Sequence, residues 1–158
     1  MKSLNIAIIA TSLFMSACLG KPFQTDRTLA DQLSEEKKYD EAVAAYLRHI
    51  KHRLSVKNRP KWENPHIYLL DIGDLYLDQG NVSEALRYYQ SAEEKGVKPG
   101  YCNDRYRYVA TWYEKQGRLR EALEHLNHFE SKDPFLFGLM QDRIAKQIVA
   151  EEEGDHTK

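Results

Sequence analysis

The sequence predicts an all-α protein: a short solenoid of about three helix hairpins plus a C-terminal capping helix. Three observations carry this reading. First, Lys38-Tyr39-Asp40-Glu41-Ala42, Asn81-Val82-Ser83-Glu84-Ala85 and Arg118-Leu119-Arg120-Glu121-Ala122 each end in Glu-Ala and open an apolar helical pattern. Second, the residues that follow recur on one face of a 3.6-period helix: Val43 and Tyr46, then Leu86, Tyr89 and Ala92, then Leu123, Leu126 and Phe129. Third, an amphipathic segment precedes each of these (Leu29–Leu33, Ile67–Leu77 and Tyr106–Tyr113), and Gly80 and Gly117 separate the helices of the second and third pairs. A chain reversal there needs a residue that tolerates a left-handed conformation.

The second unit reads Leu69-x2-Ile72-Gly73-x2-Tyr76, then Ala85-x3-Tyr89, then Ala92. The third reads Tyr106-x2-Val109-Ala110-x2-Tyr113, then Ala122-x3-Leu126, then Phe129 and Pro134. The first is degenerate, Leu29-Ala30-x2-Leu33 followed by Ala42-x3-Tyr46. This pattern resembles the tetratricopeptide repeat, over roughly residues 23–134. The resemblance implies a right-handed stack in which small residues let backbones approach and large ones fill the gaps. The spacing departs from the family period. Ala42 and Ala85 are 43 residues apart, and Ala85 and Ala122 are 37 apart. The extra residues must lengthen the second helices or the connecting loops. The related Sel1-like repeat has slightly longer units and leads to the same architecture.

After the third unit, Asp133-Pro134 offers an N-cap acceptor and a proline suited to a first helical position. Leu136, Met140, Ile144 and Ile148 recur every fourth residue with Phe137 beside them, which predicts a terminal helix over 134–150. The repeat domain is therefore placed at 25–150, and residues 151–158 are expected to form an acidic, disordered tail.

The N-terminus carries a different signal. Lys2 precedes an uncharged apolar run, Leu4 to Met15, that has the length of a secretory core rather than of a membrane span. Met15-Ser16-Ala17-Cys18 closes it and resembles a bacterial lipobox. That reading makes 1–17 a lipoprotein signal peptide, Cys18 the lipidated N-terminus and 18–24 a tether. Ordinary secretory cleavage would prefer a small residue in place of Met15, and an uncleaved anchor would want a longer run. Leu19 is not the Asp that holds enterobacterial lipoproteins at the inner membrane, so the resemblance implies an outer-membrane protein facing the periplasm.

Composition narrows the functional classes. A net charge of −1 gives no general attraction to nucleic acid. The chain has two cysteines, and with Cys18 taken by lipid, Cys102 is left as a lone thiol, expected to be buried. No phosphate-binding loop, nucleophile elbow or structural zinc spacing occurs, so neither catalytic residues nor a cofactor are expected. His49/His52 and His125/His128 each place two imidazoles on one helix face, the alternative being a metal-binding or enzymatic envelope protein. Helix-surface histidines explain them more simply.

Two surfaces are candidates for partners. Asp71, Asp74 and Asp78 share a face of the second unit's first helix. In the repeat family that helix lines a concave groove. Carried over, the groove would receive Arg27, Asp31, Leu70, Asp74, Leu77, Arg107, Thr111 and Glu114. Separately, Arg48, Lys51, Arg53, Lys57, Arg59 and Lys61 form a run without a carboxylate, suited to anionic headgroups or an acidic partner. The function implied is a lipid-anchored scaffold that binds protein or peptide partners. It is similar to repeat-bearing lipoproteins that help assemble pilus secretins, outer-membrane barrels or peptidoglycan-processing complexes.

Overall fold

The computed structural model describes residues 25–155. The expected signal peptide, the expected lipidation site Cys18 and the expected tether lie outside the described residues. Seven α-helices follow one another: α1 (Asp26–Glu35), α2 (Tyr39–Ser55), α3 (Tyr68–Asp78), α4 (Val82–Glu94), α5 (Pro99–Lys115), α6 (Leu119–Phe129) and α7 (Pro134–Asp155). The described residues contain no strand. The helices pair as α1/α2, α3/α4 and α5/α6, successive pairs stack, and α7 packs on α6. The chain is a tetratricopeptide-like helical solenoid.

The local causes are those the sequence carries. Asn81 Oδ1 caps α4 by accepting from Glu84 N at 3.2 Å, and Asp133 Oδ1 caps α7 by accepting from Leu136 N at 3.1 Å. Gly80 (φ +76°) and Gly117 (φ +70°) reverse the chain inside the second and third hairpins. Lys37, with φ +58°, does the same in the first. Each reversal is closed by one backbone bond of the same kind: Lys38 N to Leu33 O, Asn81 N to Tyr76 O and Arg118 N to Tyr113 O, all 2.8–2.9 Å.

One continuous core runs the length of the stack. Tyr89, Tyr106, Phe137, Ile72, Leu77 and Leu126 are fully buried, each such side chain contributing about 2 kcal/mol. Cys102 is buried as expected, with its Sγ donating weakly to Val97 O at 3.9 Å, and burial pushes the thiol's pKa up.

The irregular spacing has two different origins. Between Ala42 and Ala85 the extra length goes into α2, which is 17 residues long, and into the loop that follows it. Between Ala85 and Ala122 it goes into a first helix, because α5 is also 17 residues long and starts at Pro99.

Two expectations for the C-terminus need correction. Residues 151–155 are helical and extend α7, and Glu152 pairs with Arg120 at 2.5 Å. A helix already held by α6 needs only such a contact to continue past its apolar stripe. The stripe itself is Phe137, Met140, Ile144 and Ile148, while Leu136 is exposed. Position 136 lies one step round the helix from the face that α6 covers.

Candidate partner-binding groove

The first helices of a repeat stack line its concave side. Here α1, α3 and α5 bring Asp31, Asp71, Asp74 and Arg105 together, with Asp78 close enough to act on Asp74. Asp31 accepts from the Tyr46 hydroxyl at 2.6 Å and pairs with Arg27 at 3.7 Å. Asp74 accepts from the Tyr89 hydroxyl at 2.8 Å. Arg105 Nε lies 2.8 Å from Asp74 Oδ2, but off the line a hydrogen bond requires, so this is a charge contact. The pair between Arg105 and Asp71 is longer, 3.8 Å.

Burial pushes the Asp71 carboxyl up to about 6, reinforced by Asp74 and Asp31 and opposed by Arg105 and Arg27. Asp74 is raised too, again mainly by burial, although Arg105 and Tyr89 pull it down. The strip is therefore a partly desolvated set of carboxylates with too little positive charge around it. Such a set favours a cationic ligand group.

The structure sorts the carried-over groove residues into three sets. Arg27, Asp31 and Asp74 belong to the strip. Leu70 and Leu77 do not, being 2% and 0% exposed. Helix α3 is covered by α2, α4 and α5 together, so these leucines are core. Arg107 and Glu114 are taken by the end of the stack, and Thr111 bonds within α5. Arg107 pairs with Asp104, donates to Asp133 at 3.2 Å and lies 5.6 Å from the Phe137 ring centroid. Glu114 accepts from Arg143 of α7 at 2.8 Å, and Thr111 Oγ1 donates to Arg107 O at 3.3 Å. In this register α7 occupies the place that a further unit would take.

Arg105 is the strip residue that the sequence reading passed over. Its signal is its position, directly before the Tyr106 that opens the third unit's signature. The tyrosines fall into packed and exposed sets, with Tyr88 in the packed one. Tyr89 and Tyr106 are buried, Tyr88 stacks on Tyr76 with centroids 5.4 Å apart, and Tyr101 and Tyr108 are exposed.

The basic run is partly absorbed by the fold. Arg53 donates to both oxygens of Glu63 at 2.7 and 2.5 Å, Arg48 donates to Asp26 at 3.1 Å, and Arg59 donates to Arg53 O at 3.2 Å. Lys51, Lys57 and Lys61 are exposed. Glu63, just past the run, neutralises its centre.

The helix-surface expectation fails for His125, because the face of α6 that carries it packs on α5. His125 is buried and its Nε2 donates to Tyr106 O at 2.8 Å. A carbonyl only accepts, so Nε2 carries the proton. His49 packs edge-on against Tyr68, with centroids 4.7 Å apart. Among the described residues no group of three or more His, Cys, Asp or Glu could hold a metal ion, and no helix is long and apolar enough to cross a membrane.

A family model for the tetratricopeptide repeat matches residues 69–98, which are α3, α4 and the turn that follows. No curated protein matches the chain. Repeats of this family generally mediate protein partner binding and are typically non-enzymatic, so the matched unit indicates an interaction scaffold.

Proposed function

We propose that this protein is a lipid-anchored scaffold whose first-helix row takes a cationic segment of a partner protein, in assembly of an envelope complex. The observation that carries the reading is the strip Asp31–Asp71–Asp74–Asp78, and within it Asp71, a partly buried carboxylate whose ion pair is long. A lysine or arginine of a partner would supply the missing charge. The loaded site would bury the pair further and strengthen it. The lipid would act by concentration: tethering scaffold and partner to one surface raises the effective concentration and compensates for a short groove. The Met15-Ser16-Ala17-Cys18 motif supports that anchor, and Leu19 supports the outer membrane, facing the periplasm.

The test is in-cell photocrosslinking from Asp78, which is exposed at the end of α3, with exposed Glu124 on α6 as the control. A dominant protein adduct from position 78 that is absent from position 124, and lost in Asp71→Lys, supports the reading. Identical adducts from both positions, or none from position 78, refute it. For the anchor, Cys18→Ser abolishes acyl labelling and releases the protein from membranes; unchanged labelling refutes it.

A further inference from the structure

A second concave feature lies outside the acidic strip. The loop joining α2 to α3 and the loop joining α4 to α5 enclose a cleft of about 780 Å³. One wall comes from residues 54–68 and the other from residues 95–101. The walls are tied together: Asn64 Nδ2 donates to Lys95 O at 3.0 Å, while its Oδ1 accepts from His66 N at 3.1 Å. The bidentate Arg53–Glu63 pair fixes the first wall from behind. The cleft is thus built from held segments.

Its chemistry is mixed in a specific way. Trp62 is 83% exposed, Tyr101 50% and Leu54 43%, and all three line this cleft. An indole left in water at the mouth of a concavity is the kind of group that anchors a partner. Four cations line the same space: Arg59, Lys61, Lys95 and Lys98. The one carboxylate of the lining, Glu63, is already neutralised by Arg53. The lining is therefore positive, with exposed apolar groups among the cations.

We propose that this cleft is a second docking site, for an acidic peptide segment that carries an aromatic or aliphatic anchor residue. Charge complementarity selects the acidic flanks, and Trp62, Tyr101 and Leu54 select the apolar anchor. The cations stand on two walls across a concavity, which suits a chain lying between them. A bilayer would instead meet them on one convex face. The cleft and the acidic strip have opposite signs, so the two surfaces discriminate against each other's ligands.

The test uses the full chain and a short labelled peptide alternating Glu with Phe. Controls are the Lys/Phe peptide, the Glu/Ser peptide and phosphatidylglycerol vesicles. The expected result is saturable binding of the Glu/Phe peptide that weakens about tenfold in Trp62→Ala and in Lys95→Glu/Lys98→Glu. Added salt weakens it further, and Glu124→Gln on α6, an exposed position outside both surfaces, leaves it unchanged. Circular-dichroism melting of each variant confirms that these exposed positions leave the fold intact. Failure to bind, equal binding of the Glu/Ser peptide, indifference to Trp62→Ala, or binding to vesicles alone would each overturn the proposal.

Discussion

Tyr89 donates its hydroxyl to Asp74 at 2.8 Å, and fifteen residues also separate Tyr46 from Asp31, where the same bond recurs at 2.6 Å. Each bond ties the second helix of a unit to the groove face of its first. In the third unit both partners change together, to Leu126 and Thr111. The hydroxyl and the carboxylate therefore appear or disappear as a pair. The reason is physical: a tyrosine buried without an acceptor, or an aspartate without a donor, would cost more than either adds.

This pairing predicts the effect of Tyr89→Phe. The ring stays in the core and only the bond to a partly buried carboxylate is lost. A hydrogen bond to a charged group contributes about 1.5–3 kcal/mol, so stability in urea should fall by about that amount. A double-mutant cycle with Asp74→Asn isolates the pair. Additive losses would mean that the bond contributes nothing.

Gly73 serves the same tyrosine from the other side. A Cβ at this position would lie 2.3 Å from Tyr89 Cε1 and 2.6 Å from its Cδ1. Gly73→Ala must displace the ring, which in a filled core costs about 1–3 kcal/mol. The third unit shows a compatible combination, with Ala110 and Leu126 at the matching positions. Tyr89→Leu also takes the donor from Asp74, so the expected result is a double variant Gly73→Ala/Tyr89→Leu that loses less than the sum of the two single losses, measured by chemical denaturation of the three proteins. A double variant less stable than the sum of the singles would contradict the steric account.

Gly73, Ala85, Ala110 and Ala122 show how much of this architecture the sequence carries. Small residues at fixed offsets from large ones gave the register of the second and third units, and hence which helices face the groove. The apolar face alone could not say which neighbours cover it. Leu70 and Leu77 occupy groove positions by register, yet three packed helices cover α3. Arg107 and Glu114 also occupy groove positions, but α7 stacks over them. Its own four-residue period showed a helix, not that the helix repeats the stacking geometry. Arg105 and the cleft around Trp62 were hidden for a related reason. Both depend on contacts between segments about 30 residues apart, Arg105 to Asp74 and Asn64 to Lys95, that no local pattern encodes.

Asp71 gives a pH dependence with a definite sign. Its folded carboxyl titrates near 6 instead of the ordinary 3.8. Between those values the folded state holds a proton that the unfolded chain has released, so this group makes stability fall as pH rises through the window. Asp71→Asn removes the term. The side chain is 37% exposed, so solvent screening reduces the full linkage energy to about 1 kcal/mol. The variant should be more stable than the parent by about that much at pH 7.5 and no more stable at pH 4. Urea melts at the two pH values check this, and an unchanged difference between them would show that Asp71 titrates normally.

His125 acts in the opposite direction. Burial holds its imidazole down to about 4, with His128 adding to the effect and the bond to Tyr106 O opposing it. The unfolded chain takes up a proton near the ordinary value of 6.5, so between 6.5 and 4 it binds more protons than the folded state. Stability present above pH 6.5 is lost as pH falls through that window, by about 3 kcal/mol. His125→Gln keeps an N–H for the Tyr106 carbonyl but does not titrate. Its stability at pH 4.5 should therefore fall much less, relative to pH 7.5, than that of the parent protein. Because the Asp71 term has the reverse sign, the two are separated by comparing each variant with the parent at matched pH. A parent and a His125→Gln variant that lose the same stability on acidification would mean that His125 is protonated in place, and that its burial is looser than its 8% exposure indicates.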